Sequence, residues 1–299
     1  MTIPFIGPEA DGKLDWLALT RAIAAGHDLP CAEIGDTFLY RDPDTMLSRS
    51  AWIDGLGVLV KTATIFPGNV PEKPAVGGAV SVFSDTDGSL SAMLDFRLVT
   101  KWKTAGDSLL GATRLARPDS RDILIVGSGT VAKSLHEAYS AAFPDARFTV
   151  WSRNGENAAA LAHEIGGTAA PDLGDAVSTA DIVTVATMTT DPIIRGEWLR
   201  PGQHLDLIGA YRPDMREADD DALRRATIFV DARATTLDHI GELKIPLAEG
   251  VIARSDIVAD YYDGDAMRRS SDDEITLFKN GGGAHLDLMV ARYILDVAG

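Results

Sequence analysis

Several short stretches of this chain carry residue types that bind phosphate or approach a flat ring. Gly127-Ser128-Gly129-Thr130-Val131-Ala132 matches G-x-G-x-x-G/A. In that pattern the first glycine allows a tight turn and the second lets backbone N–H groups approach a pyrophosphate. A small sixth residue lets the helix pack on its strand. The helix terminus adds partial positive charge where phosphates sit. An apolar run at 123–126 precedes the motif and an Ala-rich stretch to about 142 follows it. This context assigns Gly127, Ser128, Gly129, Thr130 and Val131 to dinucleotide binding rather than to a purely structural turn.

The next predicted strand, 147–151, runs into Ser152-Arg153-Asn154. A fold specific for NAD places an acidic residue there, on the ribose diol. With no carboxylate present, Arg153 can pair with a 2′-phosphate or lie against adenine. NADP(H) is therefore the preferred cofactor and NAD the alternative. Thr187 and Met188 end a further predicted strand, where a Rossmann fold brings backbone toward the nicotinamide. Gly281 and Gly282, with Gly283, precede a predicted helix and leave backbone free to pass close to nicotinamide or ribose. His285 beside them is either an acid titrating near neutrality or a structural histidine at a helix start.

The elements that must position these residues follow from periodicity. Residues 14–26 have apolar groups at helical spacing and end in glycine. Runs at 37–41, 57–66, 77–85 and 90–99 are rich in Val, Ile and Phe, and Asp85-Thr86-Asp87-Gly88 reads as a hairpin turn. Helical spacing returns over 100–115. Strands at 123–126, 147–151, 181–187, 204–209 and 226–232 then alternate with helix or loop, the pattern of a doubly wound parallel sheet. The expected fold class is α/β: a doubly wound, parallel-sheet NAD(P)-binding domain over 117–278, and a discontinuous mixed α+β substrate and dimerisation domain over 1–116 rejoined by 279–299. Asp206 stands in an apolar strand and predicts a satisfied structural hydrogen bond. The acidic runs at 217–221 and 272–274 read as solvated faces or helix caps.

Composition narrows the partners. Lys and Arg total 28 against 44 Asp and Glu, a formal charge of -16, so no broad basic field exists to hold nucleic acid or an anionic membrane. Cys31 is the only cysteine, which excludes an intrachain disulfide and a thiolate metal cluster. No H-E-x-x-H or G-x-S-x-G motif occurs, and no metal site is expected. The start of the sequence shows neither a basic leader nor an apolar core, and no apolar run has the length of a spanning helix. A cytoplasmic location is expected.

Five segments together carry a resemblance: 60–69 (VKTATIFPGN), 99–108 (VTKWKTAGDS), 123–134 (ILIVGSGTVAKS), 209–219 (GAYRPDMREAD) and 275–288 (ITLFKNGGGAHLDL). From Val60 onward the chain resembles the ornithine cyclodeaminase and mu-crystallin family; the first forty residues match loosely. The resemblance implies a homodimer joined through the non-Rossmann domain and a small anionic 2-imino or 2-amino acid as substrate. Lys61 occupies the place of the family's active-site lysine, next to substrate carboxylate and nitrogen. Lys103 stands where many members have a carboxylate-binding arginine, keeping the charge but losing the bidentate fork. The family's other such arginine has no counterpart in register near Asp36, which leaves Arg41 and Arg49 as substitutes. Thr104 is placed to donate to cofactor phosphates.

Tyr211 replaces an aspartate that cyclodeaminases use on the substrate's distal amine. A phenol donates a hydrogen bond but carries no charge near neutrality. The expectation is therefore NAD(P)H-dependent reduction of a small cyclic ketimine carboxylate, 1-pyrroline-2-carboxylate or its six-membered homologue 1-piperideine-2-carboxylate, with Lys61, Lys103 and Tyr211 at the reacting centre. An alanine-dehydrogenase-type enzyme, an ornithine cyclodeaminase and a non-enzymatic NADP-binding protein of mu-crystallin type are the alternatives.

Overall fold

A computed structural model describes residues 3–70 and 72–299. The chain forms two compact units: one comprises the chain up to Lys103 together with Gly283–Gly299, the other Thr104–Gly282.

The first unit contains β1 (Phe5–Ile6), α1 (Trp16–His27), β2 (Glu33–Arg41), β3 (Asp44–Ile53), β4 (Gly57–Ile65), β5 (Val76–Phe83), β6 (Leu90–Asp95), the start of α2 (Phe96–Leu115), and the C-terminal helix Ala284–Ala298, α9 in chain order. Its sheet has the order β1-β6-β5-β4-β3-β2. β2 to β6 form an antiparallel meander, and β1 adds in parallel to β6. α9 packs on β3, β4, β5 and α1. Side chains alternate along β4, so Gly57, Leu59, Lys61 and Ala63 share its buried face. That period of two is what carries the ammonium of Lys61 indoors.

In this unit the start of α2 and the strand β3 are among the departures from the sequence expectation. The run 90–99 is strand only to Asp95, whose Oδ1 accepts from the Leu98 N–H at 2.8 Å; this cap starts α2 at Phe96, ahead of the expected 100. β3 was not expected, because Ser48, Arg49 and Ser50 at its centre lack strand propensity. It is held instead by full antiparallel ladders to β2 and β4.

The second unit continues α2 and then runs β7 (Asp122–Val126), α3 (Thr130–Ala142), β8 (Arg147–Trp151), α4 (Gly155–Ile165), β9 (Thr168–Ala169), α5 (Leu173–Thr179), β10 (Ile182–Val185), β11 (His204–Leu207), α6 (Asp220–Arg225), β12 (Thr227–Val230), α7 (Arg233–Thr236), α8 (Gly241–Ala248), β13 (Ile257–Ala259) and β14 (Thr276–Lys279). These strands form one parallel sheet in the order β13-β12-β14-β11-β10-β7-β8-β9. Val126, Val183, Val185, Leu205, Leu207, Val230 and Leu277 are buried in one apolar core. β7 lies between β8 and β10, which is the point where strand order reverses and where doubly wound folds bind ligands. No helix among the described residues is long and apolar enough to cross a membrane.

Candidate functional site

In the second unit the glycine turn is specified by space. Gly127 has φ +124° and a Cβ there would stand 2.7 Å from the Ala186 carbonyl oxygen, so only glycine fits. Its N–H donates to Trp151 O at 2.8 Å, tying the turn to the end of β8. Gly129 is the N-cap residue of the thirteen-residue α3; its side-chain position faces open space, and no side chain caps the helix. Ser128, Thr130 and Val131 line the same turn, half-buried or exposed, while Ala132 is buried against the core. Uncapped amide donors beside open space suit a pyrophosphate.

At the end of β8, Asn154 Oδ1 accepts from Glu156 N and Asn157 N at 2.9 and 3.4 Å, capping α4, and Ser152 Oγ donates to Asn154 O at 2.6 Å. These two side chains shape the turn, and Arg153 between them projects into solvent. Thr104 uses its carbonyl to accept from Asn280 Nδ2 at 3.0 Å.

The loops after the other strands are tied down by buried carboxylates. Glu217 accepts from Thr187 N and Oγ1 at 2.7 and 2.8 Å and from Gly209 N and Ala210 N at 2.7 and 3.3 Å. Asp231 accepts from Gly281 N and Gly282 N at 2.9 and 2.6 Å, and from Thr236 Oγ1 at 2.7 Å. Met188, beyond Thr187, is 77% exposed and Tyr211, beyond Ala210, is 59% exposed. Arg212 pairs with Asp214 at 2.9 Å in solvent. The acidic run at 217–221 therefore departs from the expected solvated face at its first residue: Glu217 is fully buried, while Asp219 caps α6 by accepting from Ala222 N at 2.8 Å. Asp206 accepts from Ser108 Oγ, Tyr139 Oη and Thr184 Oγ1 at 3.1, 2.9 and 2.8 Å, a satisfied carboxylate inside the sheet that burial raises to about 6.

In the first unit, Lys61 Nζ stands 2.7 Å from Asp287 Oδ1 and 4.9 Å from the centre of the Phe96 ring. Arg49 is its cross-strand partner on β3 and pairs with Asp36 at 2.8 Å. Lys103 and His285 are buried in the same unit. Burial lowers the Lys61 ammonium, with Lys103 and Arg49 pushing the same way and Asp287 opposing them. Against the upward push of its own burial, the charges of Lys61, Lys103 and Arg49 hold Asp287 below the usual carboxylate range. Asp287 also lies in the first turn of α9, where the helix dipole favours an anion.

Of the two substitute arginines, the sheet register brings Arg49 opposite Lys61, whereas Arg41 sits at a strand end with a 77% exposed side chain paired to Asp44. Burial pushes His285 down to about 3, so it is a neutral imidazole and no acid near pH 7. Asp287 and Glu217 escaped the sequence reading. For Asp287 a signal existed: a carboxylate between Leu286 and Leu288 in an apolar helix needs a buried cation.

An uncapped helix N-terminus after a glycine turn at the switch point of a parallel sheet defines a Rossmann-type unit, which the chain joins to a discontinuous α+β unit. Residues 51–299 match the ornithine cyclodeaminase/mu-crystallin family, and the chain belongs to that family. It is 53% identical over 299 residues to the Delta(1)-pyrroline-2-carboxylate reductase of Paracoccus denitrificans (strain Pd 1222), covering 97% of this chain and 95% of the relative. Its fold matches that of Thermococcus litoralis Delta(1)-pyrroline-2-carboxylate reductase in complex with NADH and L-proline, with TM-score 0.89, 23% identity, and 99% and 97% of the two chains covered. It also matches an archaeal alanine dehydrogenase dimer with bound NAD, with TM-score 0.89, 25% identity, and 100% and 96% covered. Both of those proteins hold a nicotinamide dinucleotide on this fold.

Proposed function

We propose that this protein is an NAD(P)H-dependent reductase of a small cyclic ketimine carboxylate, 1-pyrroline-2-carboxylate or 1-piperideine-2-carboxylate, yielding the cyclic amino acid. The observation that carries the reading is the buried Lys61–Asp287 pair with Lys103 and Arg49 in the same unit. Three cations against Asp287 and Asp36 leave a net positive charge, which suits one carboxylate. The 53% identity to a reductase of this name supports the same substrate class.

When bound, the reduced nicotinamide supplies hydride to the imine carbon while nitrogen keeps or acquires a proton. Gly127, Ser128, Gly129, Thr130 and Val131 would hold the pyrophosphate, with Thr104 as a further donor, and the backbone of Thr187, Met188, Gly281 and Gly282 would serve the nicotinamide end. Lys61 holds the substrate carboxylate and nitrogen. Asp287 opposes the lowering of the Lys61 ammonium by burial and fixes its direction. Lys103 adds a second charge for the carboxylate. Tyr211 bounds the substrate region or relays a proton.

NADPH is the preferred cofactor: Arg153 is exposed at the end of β8, and Ser152 and Asn154, occupied in the turn, offer the ribose no carboxylate. The protein acts as a homodimer. The edge strand β2 is exposed along its whole length and presents Phe38, Leu39 and Tyr40, an apolar edge of the kind that pairing covers. An alanine-dehydrogenase chemistry is the second reading, favoured by the similarity to the archaeal enzyme. Tyr211 in place of an aspartate disfavours cyclodeamination.

The test is oxidation of NADPH with 1-pyrroline-2-carboxylate, run beside pyruvate plus ammonia and beside ornithine with oxidised cofactor. Turnover that depends on the cyclic imine is expected. Turnover only with pyruvate plus ammonia would move the protein to the dehydrogenase reading.

A further inference from the structure

We infer that Glu217 is a positioning residue that fixes the nicotinamide end of the dinucleotide site by clasping two strand-end loops to one another. Its Oε1 takes both donors of Thr187, in the loop after β10, and its Oε2 takes the amides of Gly209 and Ala210, in the loop after β11. One carboxylate thus accepts four hydrogen bonds from two segments that carry Met188 and Tyr211. Thr187 follows Ala186, whose carbonyl faces the glycine turn at Gly127, so the clasp lies beside the pyrophosphate turn.

The clasp is itself held from behind. Glu242, at the start of α8, accepts from Glu217 N and Ala218 N at 2.6 and 3.0 Å, so the backbone under Glu217 is fixed as well as its head. Lys279 lies fully buried nearby, donates to Leu207 O at 2.9 Å, and offsets the charge of both glutamates. The fit is close: a Cβ on Gly209 would overlap Thr187 N and O and crowd Glu217 Oε1 at 2.6 Å. Four donors match an ionised, acceptor-only carboxylate, and a neutral acid would turn one oxygen into a donor. Burial, with the Glu242 charge, raises Glu217 to about 7 against the opposing pull of the Lys279 charge and the Thr187 donors.

This role rests on the dinucleotide reading of the second unit and is independent of which imine is reduced. Two variants test it, Glu217→Gln, which keeps the shape but replaces one acceptor oxygen with a donor, and Thr187→Val, which removes a single donor. In ligand-free protein, amide hydrogen exchange should quicken at Thr187 and Ala210 in Glu217→Gln, and less at Gly209, whose N–H also reaches Val185 O at 3.3 Å. ADP-ribose, which lacks the nicotinamide, should bind both variants as it binds wild type. Reduced dinucleotide should bind Glu217→Gln about tenfold more weakly, the loss expected for charge-assisted hydrogen bonds, with kcat lowered more than the imine KM.

A general structural role would instead weaken ADP-ribose and dinucleotide alike, and unchanged exchange with unchanged binding would also overturn the clasp. Wild type that binds dinucleotide but turns over no cyclic imine would refute the proposed reaction while the exchange and binding arms still decide the role of Glu217.

Discussion

Lys61 Nζ and Asp287 Oδ1 stand 2.7 Å apart, both side chains buried, although 226 residues separate them in the chain. The pair joins the central strand β4 to the first turn of α9. It stabilises the protein only while both members remain, because a lone buried charge is costly. Asp287→Asn and Lys61→Met should each lose about 3–5 kcal/mol in denaturant unfolding, whereas Lys61→Met combined with Asp287→Leu should recover most of that loss. Activity should return in none of them. A double variant no more stable than the singles would contradict this account of the pair.

Asp287 also sets the pH range of the ammonium. Burial, Lys103 and Arg49 lower the Lys61 pKa, and Asp287 works against them. Asp287→Asn removes the charge that raises it, so the alkaline limb of the kcat/KM profile should move to lower pH. A limb that stays in place would show that Lys61 does not titrate in the reaction.

Arg153 is predicted to discriminate between cofactors without affecting the fold. Arg153→Ala should raise KM for NADPH roughly tenfold, the value of a charged hydrogen bond, and leave KM for NADH and the melting temperature unchanged. Equal use of the two cofactors by wild type would remove this role.

Gly127 allows no side chain. At φ +124° an alanine is strained by about 1–3 kcal/mol, and its methyl would press on Ala186 O at 2.7 Å. Gly127→Ala should lower stability by roughly that amount and weaken dinucleotide binding more than tenfold. Binding equal to wild type, measured by cofactor fluorescence, would show that the turn does not carry the pyrophosphate.

His204 lies buried in β11, its Nδ1 2.9 Å from Thr276 Oγ1, and burial drives it from its usual 6.5 to about 3. The unfolded chain binds the proton first, so this group contributes stability above about pH 6.5 that is lost as pH falls toward 3. Asp206 and Glu217 act in the opposite sense. Their raised values, about 6 and about 7, give stability present in acid and lost as pH rises through the window from their usual 3.8 and 4.5. Replacing His204 with Gln isolates its part: the gap in melting temperature between wild type and His204→Gln should narrow as pH falls from neutrality to 4. A gap independent of pH would contradict the assignment.

Much of the second unit was legible because its signals are local. A run of four apolar residues, a glycine turn and an Ala-rich helix are contiguous in the chain, and the alternation that follows is that of a parallel sheet. β14 escaped because Thr276–Lys279 is four residues long and ends in a lysine, and nothing local says that it inserts between β11 and β12. Lys61 was reached through resemblance, since strand periodicity places it on a face without naming its partner. Asp287 was missed although Leu286 and Leu288 flank it, a local signal that names no partner, and Glu217 was not reached because a buried carboxylate in an acidic run is distinguished from a solvated one by donors far away in sequence. Thr187, thirty residues from Glu217, is such a donor.

The most direct test of the proposed reaction is to follow the hydride itself. With 1-pyrroline-2-carboxylate and NADPH deuterated at the transferable position of the nicotinamide, mass spectrometry should find proline carrying one deuterium at carbon 2. Lys61→Met should lower that yield at least a hundredfold, in the range of about 10²–10⁴ for loss of a side chain acting on the reacting group. Proline formed without deuterium, or cofactor oxidised with no amino acid produced, would contradict the proposal that this chain reduces cyclic ketimines.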